Sequence, residues 1–297
     1  MSDDRLILHH HDPSPFAEKI RLAFGIKRLA WASVLIPMVM PKPDLTALTG
    51  GYRGTPVLQV GADIYCDTRL IIAELERRFP DPPLLRSGPL LNFGLQQWSD
   101  EAVFPPGAAL AMHEGAAAMP DGLLTERAAY FADLDFARFE HDAAYFRAQI
   151  SAHAALIEAQ LADGREYLLG DAPEWADIGA YFNLWMLGGH VPSGPAMLAG
   201  KPLLARWQER MAAHGTGQRS EISAEEAIAI ARSTSLGEAP AGDDVTVFPV
   251  AHPETGVAGT LIDAGDNDII IRRHDDRAGN LAIHFPRIGY RIEPTDR

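Results

Sequence analysis

Residues 6–24, LILHHHDPSPFAEKIRLAF, constrain the fold more than any other stretch of this chain. Three large aliphatics in succession, Leu6, Ile7 and Leu8, are bounded by polar residues and fit a strand covered on both faces. Ser14 is a strong N-cap, and Pro15 suits the first helical position, where a missing N–H costs nothing. Phe16, Ile20, Ala23 and Phe24 then recur at spacings of three and four, which predicts a helix with Glu18, Lys19 and Arg21 on its opposite, polar face. The break between strand and helix leaves a hydroxyl at the positive end of a helix. Unpaired N–H groups and the dipole stabilise an anion there, and a thiolate qualifies. Taken alone, Ser14–Pro15 is ordinary helix-start chemistry, and its role ends at capping.

The chain continues in the same grammar. Residues 31–36 predict a second strand, and Pro37, Pro41 and Pro43 enforce an irregular loop after it. Residues 56–60 and 64–66 are two short strands joined by Gly61-Ala62-Asp63, the spacing of a hairpin. Thr68 opens a second helix through Leu70, Ile71, Ala73 and Leu75, which Phe79-Pro80 and Pro82-Pro83 end. Asp67 and Thr68 thus also stand at a helix N-terminus. Strand, helix, strand, hairpin and helix is the order of a thioredoxin-like domain, expected over residues 1–82.

Three separated motifs in this segment resemble the glutathione transferase family. Ser14-Pro15-Phe16 through Lys19-Ile20-Arg21 is similar to the Ser/Cys-Pro-aromatic helix start that carries the activating residue in its serine and cysteine classes. Thr55-Pro56-Val57-Leu58 resembles the family's cis-proline followed by a strand. Asp67-Thr68, before a helix ending Leu-Glu-Arg-Arg-Phe-Pro, resembles the acidic-hydroxyl pair that holds the γ-glutamyl group. The resemblance implies Ser14 as the catalytic residue, with Phe16, Thr55, Pro56, Asp67 and Thr68 binding glutathione. Thr55 would offer its backbone N–H and C=O to the peptide. Asp67 would accept from the ligand's α-ammonium, while Thr68 and the helix N-terminus would receive its α-carboxylate. One position departs from the pattern: Gly54 stands where the family often places a long polar side chain, and Arg53 is one residue off.

Two nearby features have plainer readings. His9, His10 and His11 are consecutive at a strand end, so their side chains alternate in direction and do not converge on one ion; no metal is expected. Cys66 reads as a small buried strand residue, because the helix start that would activate a thiol carries Ser14 instead. As the only cysteine it excludes an internal disulfide and suits a reducing, cytoplasmic compartment.

The 297 residues exceed a usual single core, so two or three domains are expected. Residues 83–232 are rich in Ala and Leu, with helices over about 90–103, 138–162, 176–187 and 202–213; residues 107–124 read as partly loop. Such runs predict a helical bundle. Leu168-Leu169-Gly170 through Pro173-Glu174-Trp175-Ala176-Asp177-Ile178 resembles the family's signature for the buried helix of its second domain. Glu174 replaces the usual hydroxyl cap opposite Asp177, an altered box in which Asp171 or water is the expected substitute. In the family the first long helix of this domain faces the electrophile, so Trp98 and Phe104 are the side chains expected to line that pocket.

A helix is expected over 221–231, followed by a linker over 233–244. The texture then changes to short alternating runs at 245–250, 257–263, 268–273, 281–285 and 288–292, separated by Gly, Asp and Asn. Five such strands predict a small antiparallel, barrel-like β module over residues 241–297, too small to stand alone and expected to dock on the helices. Its ending, His284 to Tyr290, resembles the terminal β module of a bacterial and fungal branch of transferase-like proteins. Residues 1–85 carry ten basic and ten acidic side chains, leaving the whole net charge of −14 to the rest of the chain. No basic stripe suits nucleic acid, and the longest apolar run, 31–40, is too short to span a bilayer.

Together these features imply a transferase that adds the glutathione thiolate to a small hydrophobic electrophile, with glutathione as co-substrate, no metal, and a homodimer by resemblance. The alternative is a non-catalytic protein that keeps this fold for binding or interaction.

Overall fold

The computed structural model describes residues 4–131, 135–234, 236 and 241–295. In chain order the elements are β1 (Ile7–His10), α1 (Pro15–Ile26), β2 (Ala30–Leu35), α2 (Pro43–Thr49), β3 (Val57–Val60), β4 (Asp63–Cys66) and α3 (Thr68–Arg78). A helical series follows: α4 (Pro89–Trp98), α5 (Phe104–Glu114), α6 (Leu123–Tyr130), α7 (Phe139–Gln160), α8 (Trp175–His190), α9 (Gly194–Leu198) and α10 (Pro202–Ala213). The chain then returns to β5 (Gln218–Glu221), α11 (Ala224–Ser233), β6 (Asp244–Pro249), β7 (Val257–Ala264), β8 (Asp268–Asp275), β9 (Gly279–Pro286) and β10 (Tyr290–Pro294). These elements form two compact units. One comprises Met1–Ile20, Arg28–Arg78 and Gly217–Arg297; the other comprises Arg21–Lys27 and Phe79–Thr216. The division places residues 217–232 and the terminal β strands with the thioredoxin-like segment.

The first unit is built on one ten-stranded sheet, in the order β10-β6-β7-β8-β9-β4-β3-β1-β2-β5. β1 runs parallel to β2 and antiparallel to β3, and β3 is antiparallel to β4, the thioredoxin-like arrangement. The extra module is the expected antiparallel set of five strands. Its ladder continues into the rest of the sheet, because β9 pairs in parallel with β4 from Asp63↔Ala282 to Tyr65↔His284. The module therefore docks on an edge strand and not on the helices alone. The reason lies in the residues: Val57, Ile64 and Cys66 share one core with Val247, Ile269, Ile271, Leu281, Ile283 and Phe285, all essentially inaccessible. An edge of β4 that would otherwise present unpaired N–H and C=O groups is covered.

Two local expectations are corrected and one is met. Glu221 does not begin the helix expected over 221–231: it ends β5, parallel to β2, and α11 starts at Ala224 behind Ser223, whose hydroxyl accepts from Glu226 N at 3.0 Å. Residues 107–124 are partly loop, as expected: α5 runs to Glu114, and turns at 115 and 119–122 separate it from α6, while Pro105 and Pro106 occupy the first turn of α5, where proline removes no needed donor. Upstream, Ser99–Val103 is a π-helical turn, closed by Phe104 N to Ser99 O. Glu18, Lys19 and Arg21 are not on a solvated face; all three are buried. Lys19 places its ammonium 4.5 Å from the centre of the Phe16 ring, so the cation is accommodated by an aromatic face.

The second unit packs α4, α5, α7, α8 and α10 around Trp175 and Trp207, both fully buried. Trp175 Nε1 donates to Gln96 Oε1 at 2.6 Å, and Asn92 Oδ1 accepts from Ala176 N. At the start of α8, Asp177 accepts from Glu174 N at 3.0 Å, from Leu168 N at 2.8 Å and from Trp207 Nε1 at 2.9 Å. The Glu174 carboxylate accepts from Ser87 N, Ser87 Oγ and Asn92 Nδ2, which ties the preceding linker to the helix start. Neighbouring side chains thus fulfil what was expected of Asp171 or water.

Candidate functional site

The strand registers bring the predicted residues to one end of the sheet. His9 faces Val57 and Val57 faces Cys66, so β1 ends, β3 begins and β4 ends side by side. The segments attached there carry Ser14, Thr55–Pro56 and Asp67–Thr68. Beyond β1 the chain turns through a bond from Ser14 N to His11 O, and α1 starts with Glu18 N to Ser14 O. Ser14 Oγ accepts from Ala17 N at 3.2 Å, the capping bond, and a hydroxyl so engaged still carries one proton to donate. Phe16 lies half-buried in the first turn. The Thr55–Pro56 bond is cis and leads directly into β3.

Asp67 joins β4 to α3 with a left-handed backbone, φ 75°. Its Oδ1 accepts from Arg69 N at 2.9 Å and its carbonyl from Ile71 N, so it closes the start of the helix, while Thr68 is buried in the first turn. A carboxylate and a set of helix N–H groups thus stand side by side, an arrangement that suits both ends of an amino-acid group.

The terminal module adds residues that the sequence analysis did not identify. Because β9 runs parallel to β4, it ends at the same end of the sheet, and the turn through Gly289 returns the chain to Tyr290. The Tyr290 hydroxyl donates to Asp67 Oδ2 at 3.2 Å and lies 3.1 Å from the Tyr52 hydroxyl. Phe285 packs against both rings, edge-on to Tyr52 at 6.0 Å and tilted to Tyr290 at 5.7 Å. Burial, then the neighbouring Tyr52 and Asp67, push the Tyr290 hydroxyl far above the usual phenol range. The same structure accounts for Gly54: a Cβ at that position would stand 2.2 Å from the Tyr52 hydroxyl oxygen. Tyr52 fills the space that a side chain at 54 would enter.

Other singled-out groups have structural partners. His284 Nε2 lies 2.8 Å from Asp63 Oδ1 and its ring stacks on Tyr65 at 4.4 Å, which fastens β9 to β4. Burial, with a smaller contribution from Asp67, raises the Cys66 thiol well above its usual range, so it is a core residue. His9 Nε2 meets Gln59 Oε1 at 2.8 Å, and burial holds its pKa down at about 4. His10 Nε2 instead faces Ser33 Oγ, so the two rings diverge as alternation requires. Among the described residues no group of three or more His, Cys, Asp or Glu could hold a metal ion, and no helix is long and apolar enough to cross a membrane. Trp98 and Phe104 belong to the helical unit, where Trp98 meets His153 edge-on at 5.5 Å and Phe104 stacks on Phe182 at 6.0 Å.

Tyr52 and Tyr290 carried no local signal. An isolated tyrosine in a loop and another at a strand start acquire meaning only once residues 238 positions apart are paired.

Comparison with known proteins places the chain. Residues 8–83 match the profile of the glutathione S-transferase N-terminal domain, and residues 123–214 that of the C-terminal domain. A GST-like protein from Pseudomonas syringae is 36% identical, with a TM-score of 0.81 over 98% of this chain and 99% of that one. A glutathione transferase family member from Pseudomonas fluorescens, solved with two glutathione molecules bound, shares the fold at 12% identity, with a TM-score of 0.55 over 71% of this chain and 89% of that one. A curated relative, FtsZ-localized protein A of Caulobacter vibrioides, is 31% identical over 101 residues, 31% of this chain and 43% of its own length, so this chain spans less than half of it. With both domain profiles in order, and a full-length likeness at that identity, the chain belongs to the glutathione S-transferase family.

Proposed function

We propose that this protein binds glutathione at the end of β1, β3 and β4 and transfers its thiolate to a small hydrophobic electrophile. The carrying observation is the convergence of the Ser14 helix start, the cis Thr55–Pro56 turn and the Asp67–Thr68 helix start at that one end of the sheet. Asp67 accepts from the ligand's α-ammonium, Thr68 and the N–H groups of α3 receive its α-carboxylate, and Thr55 pairs with its peptide backbone. Phe16 flanks the ligand from the first turn of α1. Ser14 donates its remaining proton to the sulfur, at the positive end of α1. Lowering a thiol pKa from about 8.5 to about 7 takes roughly 2 kcal/mol, and raises the thiolate fraction at neutral pH from about 3% to about half. The thiolate then adds to the electrophilic carbon, forming the C–S bond as the electron pair of the bond that opens at that carbon takes up a proton. Trp98 and Phe104 are the side chains we assign to the electrophile, and we assign the protein to the cytoplasm as a homodimer.

Calorimetric titration with glutathione, followed by the pH dependence of the bound thiol's absorbance, tests this. Wild type should bind, and Ser14→Ala should raise the pH at which the bound thiolate forms by about one to two units while leaving affinity nearly unchanged. No heat at millimolar glutathione would overturn the proposal. It would favour the second reading, a non-catalytic binding protein, for which the occupation of Asp67 Oδ2 by Tyr290 is the supporting observation.

A further inference from the structure

We infer that Tyr290, carried on the terminal β module, is a positioning residue for Asp67, so that the module is a built-in part of the ligand site. The inference rests on the reading of Asp67 as the carboxylate that meets the ligand's ammonium. Asp67 follows the last residue of β4 in a left-handed conformation, one that Asp adopts more readily than most residues when hydrogen bonds hold its carboxylate. Two bonds supply that: Arg69 N–H holds Oδ1 and the Tyr290 hydroxyl holds Oδ2, which together set the plane of the group. Each phenol has one proton. With Tyr290's proton directed to Asp67, the Tyr52 hydroxyl donates to the Tyr290 oxygen, and the order of donors runs from Tyr52 through Tyr290 to Asp67. Burial keeps the Tyr290 phenol protonated across the neutral range, so this order does not switch with physiological pH.

The geometry is supported on both sides. Phe285 wedges the two rings, and the β4–β9 ladder fixes the strand from which Tyr290 follows. Gly54 leaves the space that the Tyr52 ring occupies. A side chain at residue 54 would displace the Tyr52 hydroxyl from its place beside Tyr290.

The test compares glutathione with glutaryl-cysteinyl-glycine, which lacks the α-ammonium, by calorimetry on the full-length protein. Tyr290→Phe keeps the ring against Phe285 and removes only the hydroxyl. It should weaken glutathione about tenfold, as expected for a hydrogen bond to a charged group, and leave the deaminated analogue within twofold. In an Asp67→Asn background the same change should have no further effect, a coupling that a general packing defect would not produce. Tyr52→Phe, which leaves the Tyr290 to Asp67 bond in place, should weaken glutathione about threefold and spare the analogue; it carries the test if Tyr290→Phe does not fold. Equal weakening of both ligands, unchanged binding or tighter binding in Tyr290→Phe would overturn the inference while the transferase reading stands. Absence of wild-type binding would overturn both.

Discussion

Asp67 and Asp177 each serve the start of a helix, one in each unit, yet their surroundings differ in kind. Asp177 is fully buried and accepts from three N–H groups of its own unit, two of backbone and one of Trp207. Burial pushes its pKa up to about 6, against the opposing pull of those three bonds. Asp67 is half-buried, sits in a left-handed turn, and divides its oxygens between one helix N–H and a phenol from a strand 223 positions away. Acceptors committed to local backbone make a folding element. A carboxylate steadied from a distance joins parts of the chain that are far apart in sequence.

Removing each carboxylate should break the comparison in opposite places. Asp177→Ala leaves three buried donors without acceptors and should cost more than about 3 kcal/mol, read as a lowered denaturation midpoint. Glutathione affinity in the folded fraction should be unchanged. Hydrogen exchange as a function of pH separates the units next. His9 has a pKa of about 4 when folded against 6.5 for a free side chain, so the unfolded chain binds more protons and the sheet unit loses about 3 kcal/mol as pH falls from about 6.5 to about 4. Asp177 acts with the opposite sign: its pKa of about 6 lies above 3.8, so its contribution is present below pH 3.8 and is lost as pH rises through 6. Opposite slopes in the two units between pH 4 and 6 are expected, and His9→Asn should flatten only the first. The smallest stability change is expected for Asp67→Gly, within about 1 kcal/mol, because glycine relaxes the positive φ as the cap is lost. The same substitution should weaken glutathione at least tenfold.

Sequence disclosed what is local and hid what is paired across distance. Strands β1 to β4 and the caps at Ser14 and Thr68 follow from aliphatic runs and helix-start chemistry, and the five terminal strands follow from their alternation. β5 was hidden because Gln218, Arg219, Ser220 and Glu221 have no apolar member, and their strand exists only because β2 offers a free edge. Lys19 was misread because periodicity assigns a face to each residue without knowing what covers it. The site showed the same division. Ser14, Thr55 and Asp67 stand in motifs, whereas Tyr52 and Tyr290 depend on the pairing of β4 with β9, which no local pattern records.

That pairing also bears on how the protein is made. Asp63 leaves the ribosome long before Ala282, its partner in the ladder, so the β4 edge and the apolar side chains under it wait through the synthesis of the whole helical unit. Contacts so distant in sequence form slowly, and an unpaired strand edge invites association with other chains meanwhile. A chain cut short before β9 would therefore keep the β4 edge exposed and lack the Tyr290 to Asp67 bond.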